Sequence, residues 1–126
     1  KWLDLLDLPV RHGEGKFYTD NATMQNIINS NLVVGQYAKN GKVANGSYPE
    51  NPNGSVYDVA AMCDKTGRIF GLMPHPEAFN HVCNHPNWTA IREQARRQNR
   101  KLNKLGLGIQ IFKNAVDYAQ ENLQWD

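Results

Sequence analysis

The residues best placed to do chemistry are His75 and Glu77, within Met73-Pro74-His75-Pro76-Glu77. A β-prone run from Arg68 to Met73 ends just before them, so a strand would deliver an imidazole and a carboxylate two positions apart. In extended backbone, residues i and i+2 point to the same side. Pro76 fixes its own φ and biases His75 away from helix, which holds that geometry. A carboxylate beside an imidazole accepts the Nδ1 hydrogen, sets the tautomer and stabilises the imidazolium, leaving Nε2 as a base toward a nucleophile. The same pair in a surface loop would simply be solvated, so residue types alone leave both readings open.

The cysteines do not suit the nucleophile's part. Cys63 closes a predicted hairpin strand, where a buried structural thiol is expected, and Cys83 sits in an irregular loop without flanking glycines. Neither position is an elbow that would expose a thiolate beside oxyanion-hole amides. His75, Glu77, His81, Cys83 and His85 fall within eleven positions. Their spacing matches neither a zinc finger nor a helix-borne His-Glu-x-x-His site, and Pro74, Pro76 and Pro86 exclude a regular helix to present them. No metal site is expected. In the polar turn Arg11-His12-Gly13-Glu14, backbone beside the glycine can approach a ligand closely, and Arg11 can grip a carboxylate in bidentate fashion. Such residues are equally at home in solvent.

These groups need elements to position them. Ser55–Cys63 and Arg68–Met73, joined by Asp64-Lys65-Thr66-Gly67, give the plainest hairpin signal in the chain. Leu8 to His12 reads as a short strand or strand end, and Lys16 to Thr19 as extended. Asp20 or Asn21 caps a helix running to about Ser30, with Met24, Ile27 and Ile28 at helical spacing, and Leu32–Tyr37 follows as a β-rich run. Lys39 to Asn53, rich in Asn, Gly, Pro and Ser, reads as one loop of about fifteen residues, a length usually functional or mobile. Asn87 or Thr89 caps a second helix through about Lys101. A third spans about Gly106 to Leu123, where Ile109, Phe112, Val116, Ala119 and Leu123 form a stripe expected to pack on a sheet. The class is α/β, with several strands and three helices.

The tract Gly67-Arg68-Ile69-Phe70-Gly71-Leu72-Met73-Pro74-His75-Pro76-Glu77 resembles the C-terminal signature of class I glutamine amidotransferases. Leu8-Pro9-Val10-Arg11-His12-Gly13-Glu14-Gly15-Lys16-Phe17, Asn53-Gly54-Ser55 and Asn84-His85-Pro86-Asn87-Trp88-Thr89 narrow the resemblance. They point to the glutaminase subunits of phosphoribosylformylglycinamidine synthase, in de novo purine biosynthesis. The resemblance runs from about Leu8 to Tyr118. It implies the C-terminal part of a doubly wound, flavodoxin-like amidotransferase domain with a β-hairpin. It implies hydrolysis of glutamine to glutamate and ammonia, the ammonia passing to a separate synthetase subunit of the same complex. In the family's Cys–His–Glu triad, His75 matches the base and Glu77 the orienting carboxylate. Arg11, His12, Gly13 and Glu14 match the segment beside the α-amino and α-carboxylate groups of glutamine.

The family's nucleophile elbow belongs to an N-terminal half that does not occur in residues 1–126. The expectation is therefore a partial domain, inactive alone, that takes a complementing N-terminal fragment, self-associates through an exposed face, or adopts a rearranged fold. No cofactor is expected in this chain; ATP and Mg²⁺ would belong to the synthetase, and the setting would be cytoplasmic. The family usually follows Pro-His-Pro-Glu with Arg, whereas Ala78 and Phe79 follow here; any contact made by that Arg is lost. A reading from another class is a non-catalytic amidotransferase-like module that only docks a synthetase.

Composition sets the outer bounds. A chain of 126 residues suits one domain or a large piece of one. Aromatics at 10% argue against a disordered tail. No stretch approaches the ~20 consecutive apolar residues of a membrane helix. Of the 14 basic residues, six lie between Ile91 and Lys104 against a single acid, Glu93, so the net +2 of the chain belongs to that one segment. A solvated helix face is its expected meaning. No aromatics interleave the basic residues, which argues against nucleic acid as the partner.

Overall fold

The computed structural model describes residues 5–11, 13 and 15–123. They form two compact units, one built from Leu5 and Val10–Pro74, the other from Leu6–Pro9 and the residues from His75 onward.

In the first unit, α1 (Asn21–Asn29) begins at Asp20, whose carboxylate accepts from the Thr23 amide at 2.9 Å. That bond, first among several, lowers the Asp20 pKa from its ordinary value. The helix buries Met24 and half-buries Ile27 and Ile28. It ends because Asn31 adopts φ 54°, which turns its amide to the Ile28 carbonyl and the Leu32 amide to that of Ile27, the paired bonds of a Schellman stop.

Three antiparallel strands follow: β1 (Val33–Gln36), β4 (Val59–Cys63) and β5 (Phe70–Leu72), with β4 in the middle. The first residues of β4, Val59, Ala60 and Ala61, are buried, as a central strand requires. Ala61 faces Leu72 across the hairpin, and Cys63 faces Phe70. The connecting turn is held by Asp64, whose Oδ1 accepts from the Ile69 amide at 3.0 Å and the Arg68 amide at 3.1 Å. Thr66 Oγ1 donates to the same carboxylate at 2.7 Å. These donors, the Ile69 amide foremost, pull the Asp64 pKa down to about 2. The expected hairpin is therefore present. Its first strand starts later than expected, because Tyr57 and Asp58 take positive φ of 57° and 54° and break the extended run.

The supposed fifteen-residue loop is not one loop. It opens with a second hairpin, β2 (Ala38–Lys39) paired with β3 (Lys42–Val43). Its two-residue turn is Asn40-Gly41, both at positive φ (51° and 77°), the conformation that makes Asn-Gly the favoured hairpin turn. Tyr37, Ala44 and Ala60 then form a buried cluster with Met73 against it. All described strand pairs are antiparallel.

The second unit has no named strand among its described residues. Short helical turns at Pro76–Phe79 and Val82–Asn84 lead into α2 (Trp88–Arg97) and then α3 (Ile109–Asn122). Phe79, Val82 and Ala95 are buried. Helix α2 stops at Arg97, short of the expected Lys101, because Asn99 takes φ 49° and the Arg100 amide folds back to the Ala95 carbonyl. All six basic residues of this region are exposed. Arg92 lies over the Trp88 ring at 4.8 Å, while Glu93 bridges Arg96 and Arg97 and has its pKa lowered to about 2, chiefly by Arg96. The sequence places a packed stripe on α3, and here the structure differs. No residue of α3 is buried, and Phe112, Val116 and Leu123 remain 41–54% exposed.

Candidate active site

His75 and Glu77 are brought into direct contact. His75 Nδ1 lies 2.6 Å from Glu77 Oε1. The local cause is the turn Pro76–Phe79: His75 stands just before it with φ −106° and ψ 86°, and Pro76 occupies its first position, where a missing N–H costs nothing. The pair meets through this turn rather than through the extended backbone that the sequence suggests. The His75 amide donates to the Pro9 carbonyl at 2.8 Å, which anchors the imidazole's backbone.

The tautomer follows from the partners. An ionised carboxylate only accepts, so Nδ1 of His75 carries the hydrogen, and in the neutral ring Nε2 keeps its lone pair. Side-chain exposures of 38% for His75 and 60% for Glu77 leave the pair open to solvent or substrate. The two neighbouring histidines are committed the other way. His81 Nδ1 accepts from the Cys83 amide at 3.2 Å, and His85 Nδ1 accepts from the Asn87 amide at 3.0 Å. In the neutral ring each must then carry its hydrogen on Nε2, and that of His85 points to Asp7 Oδ2 at 3.3 Å. Among the three histidines of this segment, only His75 presents a basic Nε2 beside an orienting carboxylate.

Cys63 is the last residue of β4 and is half-buried rather than buried; it runs into a hairpin turn. Cys83 is exposed within the short turn Val82–Asn84. Neither lies at a strand-to-helix elbow. Among the described residues, no group of three or more His, Cys, Asp or Glu side chains could hold a metal ion. No helix among them is long and apolar enough to cross a membrane.

Of the four residues in the polar turn, Arg11 and Gly13 are exposed in the first unit, while His12 and Glu14 lie outside the described residues. A buried polar network follows in the same unit, and residue types alone did not reveal it. Asn51, Ser55 and Asp58 are 2–5% exposed. Asn51 Nδ2 donates to Asp58 Oδ1 at 2.8 Å and to the Ser55 carbonyl at 3.0 Å, and its Oδ1 accepts from the Ser55 amide at 3.1 Å. Asp58 Oδ1 also accepts from the Gly46 amide at 2.9 Å. From this base, Ser55 Oγ accepts from the Phe17 amide at 3.0 Å, and Asn53 Nδ2 donates to the Gly15 carbonyl. The stretch just after the polar turn is thereby tied down at Gly15 and Phe17. The available signal was the density of Asn and Ser in Asn51-Pro52-Asn53-Gly54-Ser55, which reads as loop composition but also suits a hydrogen-bonded cluster.

Comparison with known proteins adds the family. Residues 1–119 match the model of the CobB/CobQ-like glutamine amidotransferase domain. The chain is 42% identical over 120 residues to the phosphoribosylformylglycinamidine synthase subunit PurQ of Methanococcus maripaludis, covering 94% of this chain and 44% of that protein. It is 41% identical over 119 residues to the subunit of the same name from Dehalococcoides mccartyi, covering 94% and 42%. With that from Campylobacter jejuni it shares 40% identity over 74 residues, covering 59% and 28%. The chain thus spans less than half the length of these relatives.

Proposed function

The chain belongs to the CobB/CobQ-like glutamine amidotransferase domain family, and we propose that it supplies the base and its orienting carboxylate for glutamine hydrolysis. The ammonia would serve a phosphoribosylformylglycinamidine synthase in purine biosynthesis. The observation that carries this reading is the 2.6 Å contact between His75 Nδ1 and Glu77 Oε1. In the reaction, Nε2 of His75 takes the proton of a cysteine thiol as the sulfur attacks the side-chain carbonyl carbon of glutamine. The imidazolium, stabilised by Glu77, returns that proton to the departing nitrogen as ammonia leaves. Water, deprotonated by His75, then cleaves the thioester to glutamate.

The nucleophile in this reading is neither Cys63 nor Cys83. Residues 1–126 form part of a doubly wound amidotransferase domain, and the remaining part brings the cysteine elbow. The exposed edge of the three-stranded sheet supports a missing neighbour, since Ile69 and Phe70 beside and on its edge strand β5 stay 72% and 47% exposed. Glutamine is the substrate, Arg11, His12, Gly13 and Glu14 match the family segment that serves its α-substituents, and the synthetase subunit is the partner that carries ATP and Mg²⁺.

The test measures glutamate release by the full chain alone and mixed with the remaining portion of the Methanococcus maripaludis relative. Activity is expected only in the mixture, and His75→Ala should lower it about 10²–10⁴-fold, the usual worth of a general base. Glutamate release by the chain alone that Cys83→Ser abolishes would refute the assignment of the nucleophile. Complementation without hydrolysis would favour the docking module instead.

A further inference from the structure

We infer that Gly106 and Gly108 are positioning residues for the His75–Glu77 pair, an inference that rests on the reading of that pair given above. The turn carrying Glu77 is closed by the Ala78 amide, which donates to the His75 carbonyl at 3.1 Å, and it leans on a second segment for the rest of its support. The chain after Glu77 is laid along residues 104–108: the Val82 amide donates to the Lys104 carbonyl at 2.8 Å, and His81 pairs with Leu105 as an antiparallel bridge. The Gly106 amide donates to the Asn80 carbonyl at 3.0 Å, and the Gly108 amide to that of Phe79 at 3.1 Å. Gly106 and Gly108 are both buried, while Leu107 between them is 50% exposed.

The close approach requires glycine at both positions. A Cβ on Gly108 would overlap the Pro76 carbonyl oxygen and stand 2.8 Å from that of Phe79. A Cβ on Gly106 would overlap the Phe79 carbonyl oxygen and stand 2.6 Å from Phe79 Cδ2. The obstructing oxygens belong to the main chain, which cannot rotate aside as a side chain would. Pro76 and Phe79 are the first and last residues of the turn that contains Glu77. A side chain at 108 must therefore push that turn and residues 104–108 apart, removing the turn's support, whereas His75 stays tied through its amide to the Pro9 carbonyl. One partner of the pair is fixed from one side and the other rests on the glycines. A displacement of about 1 Å is enough to abolish a hydrogen bond.

The test is ¹⁵N NMR of the full chain, labelled at histidine, at about pH 8, where an ordinary imidazole is neutral. The wild type should show His75 with its hydrogen on Nδ1, and Glu77→Ala should lose that signature. Gly108→Ala should lose it to the same extent while the α2 amide signals stay in place, and the double variant should show no further change. Leu107→Ala, which changes only the exposed residue between the glycines, should keep the wild-type tautomer. A Gly108→Ala chain that keeps the Nδ1–H signature while Glu77→Ala loses it overturns the inference. If Glu77→Ala itself keeps the signature, the reading of the pair fails instead. Where Gly108→Ala loses the α2 signals, a semisynthetic chain with glycolate at 108 removes the N–H given to Phe79 without adding a Cβ. Loss of the signature there supports the positioning role, and its retention refutes it.

Discussion

Replacing Asn51 by Ala tests whether the segment from Lys39 to Asn53 is ordered from within. Asn51 is 2% exposed and makes three side-chain hydrogen bonds, to the Ser55 carbonyl, the Ser55 amide and the Asp58 carboxylate. The two neutral bonds are worth about 1 kcal/mol each, and the bond to the carboxylate about 1.5–3 kcal/mol. No full penalty for an orphaned group is added, because each partner keeps another bond. The Ser55 carbonyl still accepts from the Asp58 amide at 3.2 Å, the Ser55 amide still reaches Asn53 Oδ1 at 3.1 Å, and Asp58 Oδ1 keeps the Gly46 amide. The expected loss is therefore about 3.5–5 kcal/mol, a large share of the ~5–15 kcal/mol that holds a domain. Hydrogen exchange of the full chain reads it locally: β4 amides should exchange faster by a factor corresponding to that loss, and α2 amides should not. Asn51→Asp should do worse than Asn51→Ala, since it sets a second carboxylate where the first accepted a bond. A change under about 1 kcal/mol at β4, or an equal change in α2, would show that the network does not order this segment.

Three further outcomes follow from the same geometry. Ser55→Ala removes the acceptor of the Phe17 amide and should cost about 1–2 kcal/mol, seen as faster exchange at Lys16–Tyr18. Asp64 has its carboxylate held down to about 2 by the amides and hydroxyl of its own turn, so its contribution to hairpin stability is complete above the ordinary value of 3.8 and is lost as pH falls toward 2. A pH titration of the Arg68 and Ile69 amide shifts should show that transition, and Asp64→Asn should abolish it. Gly41→Val forces a branched side chain into φ 77° and should cost about 1–2 kcal/mol, detectable as loss of the cross-strand contacts between Ala38 and Val43.

Local chemistry was the part of this protein that the sequence could determine. Asp20 as a cap, the Asp64–Gly67 turn and the pairing of the runs that flank it depend on neighbours within a few positions, so residue order suffices to place them. Asn40-Gly41 was equally local and went unread because the residues around it have loop composition. The contact of His75 with Glu77 was foreseen from spacing. The backbone that makes it, a helical turn begun at Pro76, depends on anchoring to Pro9 and to residues 104–108, which lie far away in sequence.

Three outcomes were decided only in three dimensions. Asn51 and Asp58 are buried because the chain folds over them, and nothing in their side chains distinguishes a buried amide or carboxylate from a solvated one. Asn99 ends α2 by adopting a left-handed conformation that glycine and asparagine tolerate but do not compel. The apolar stripe of α3 was legible as a pattern, yet a pattern states which face seeks cover and not whether cover is present. Side-chain type fixes what a residue can do. Distance to groups remote in sequence fixes whether it does it.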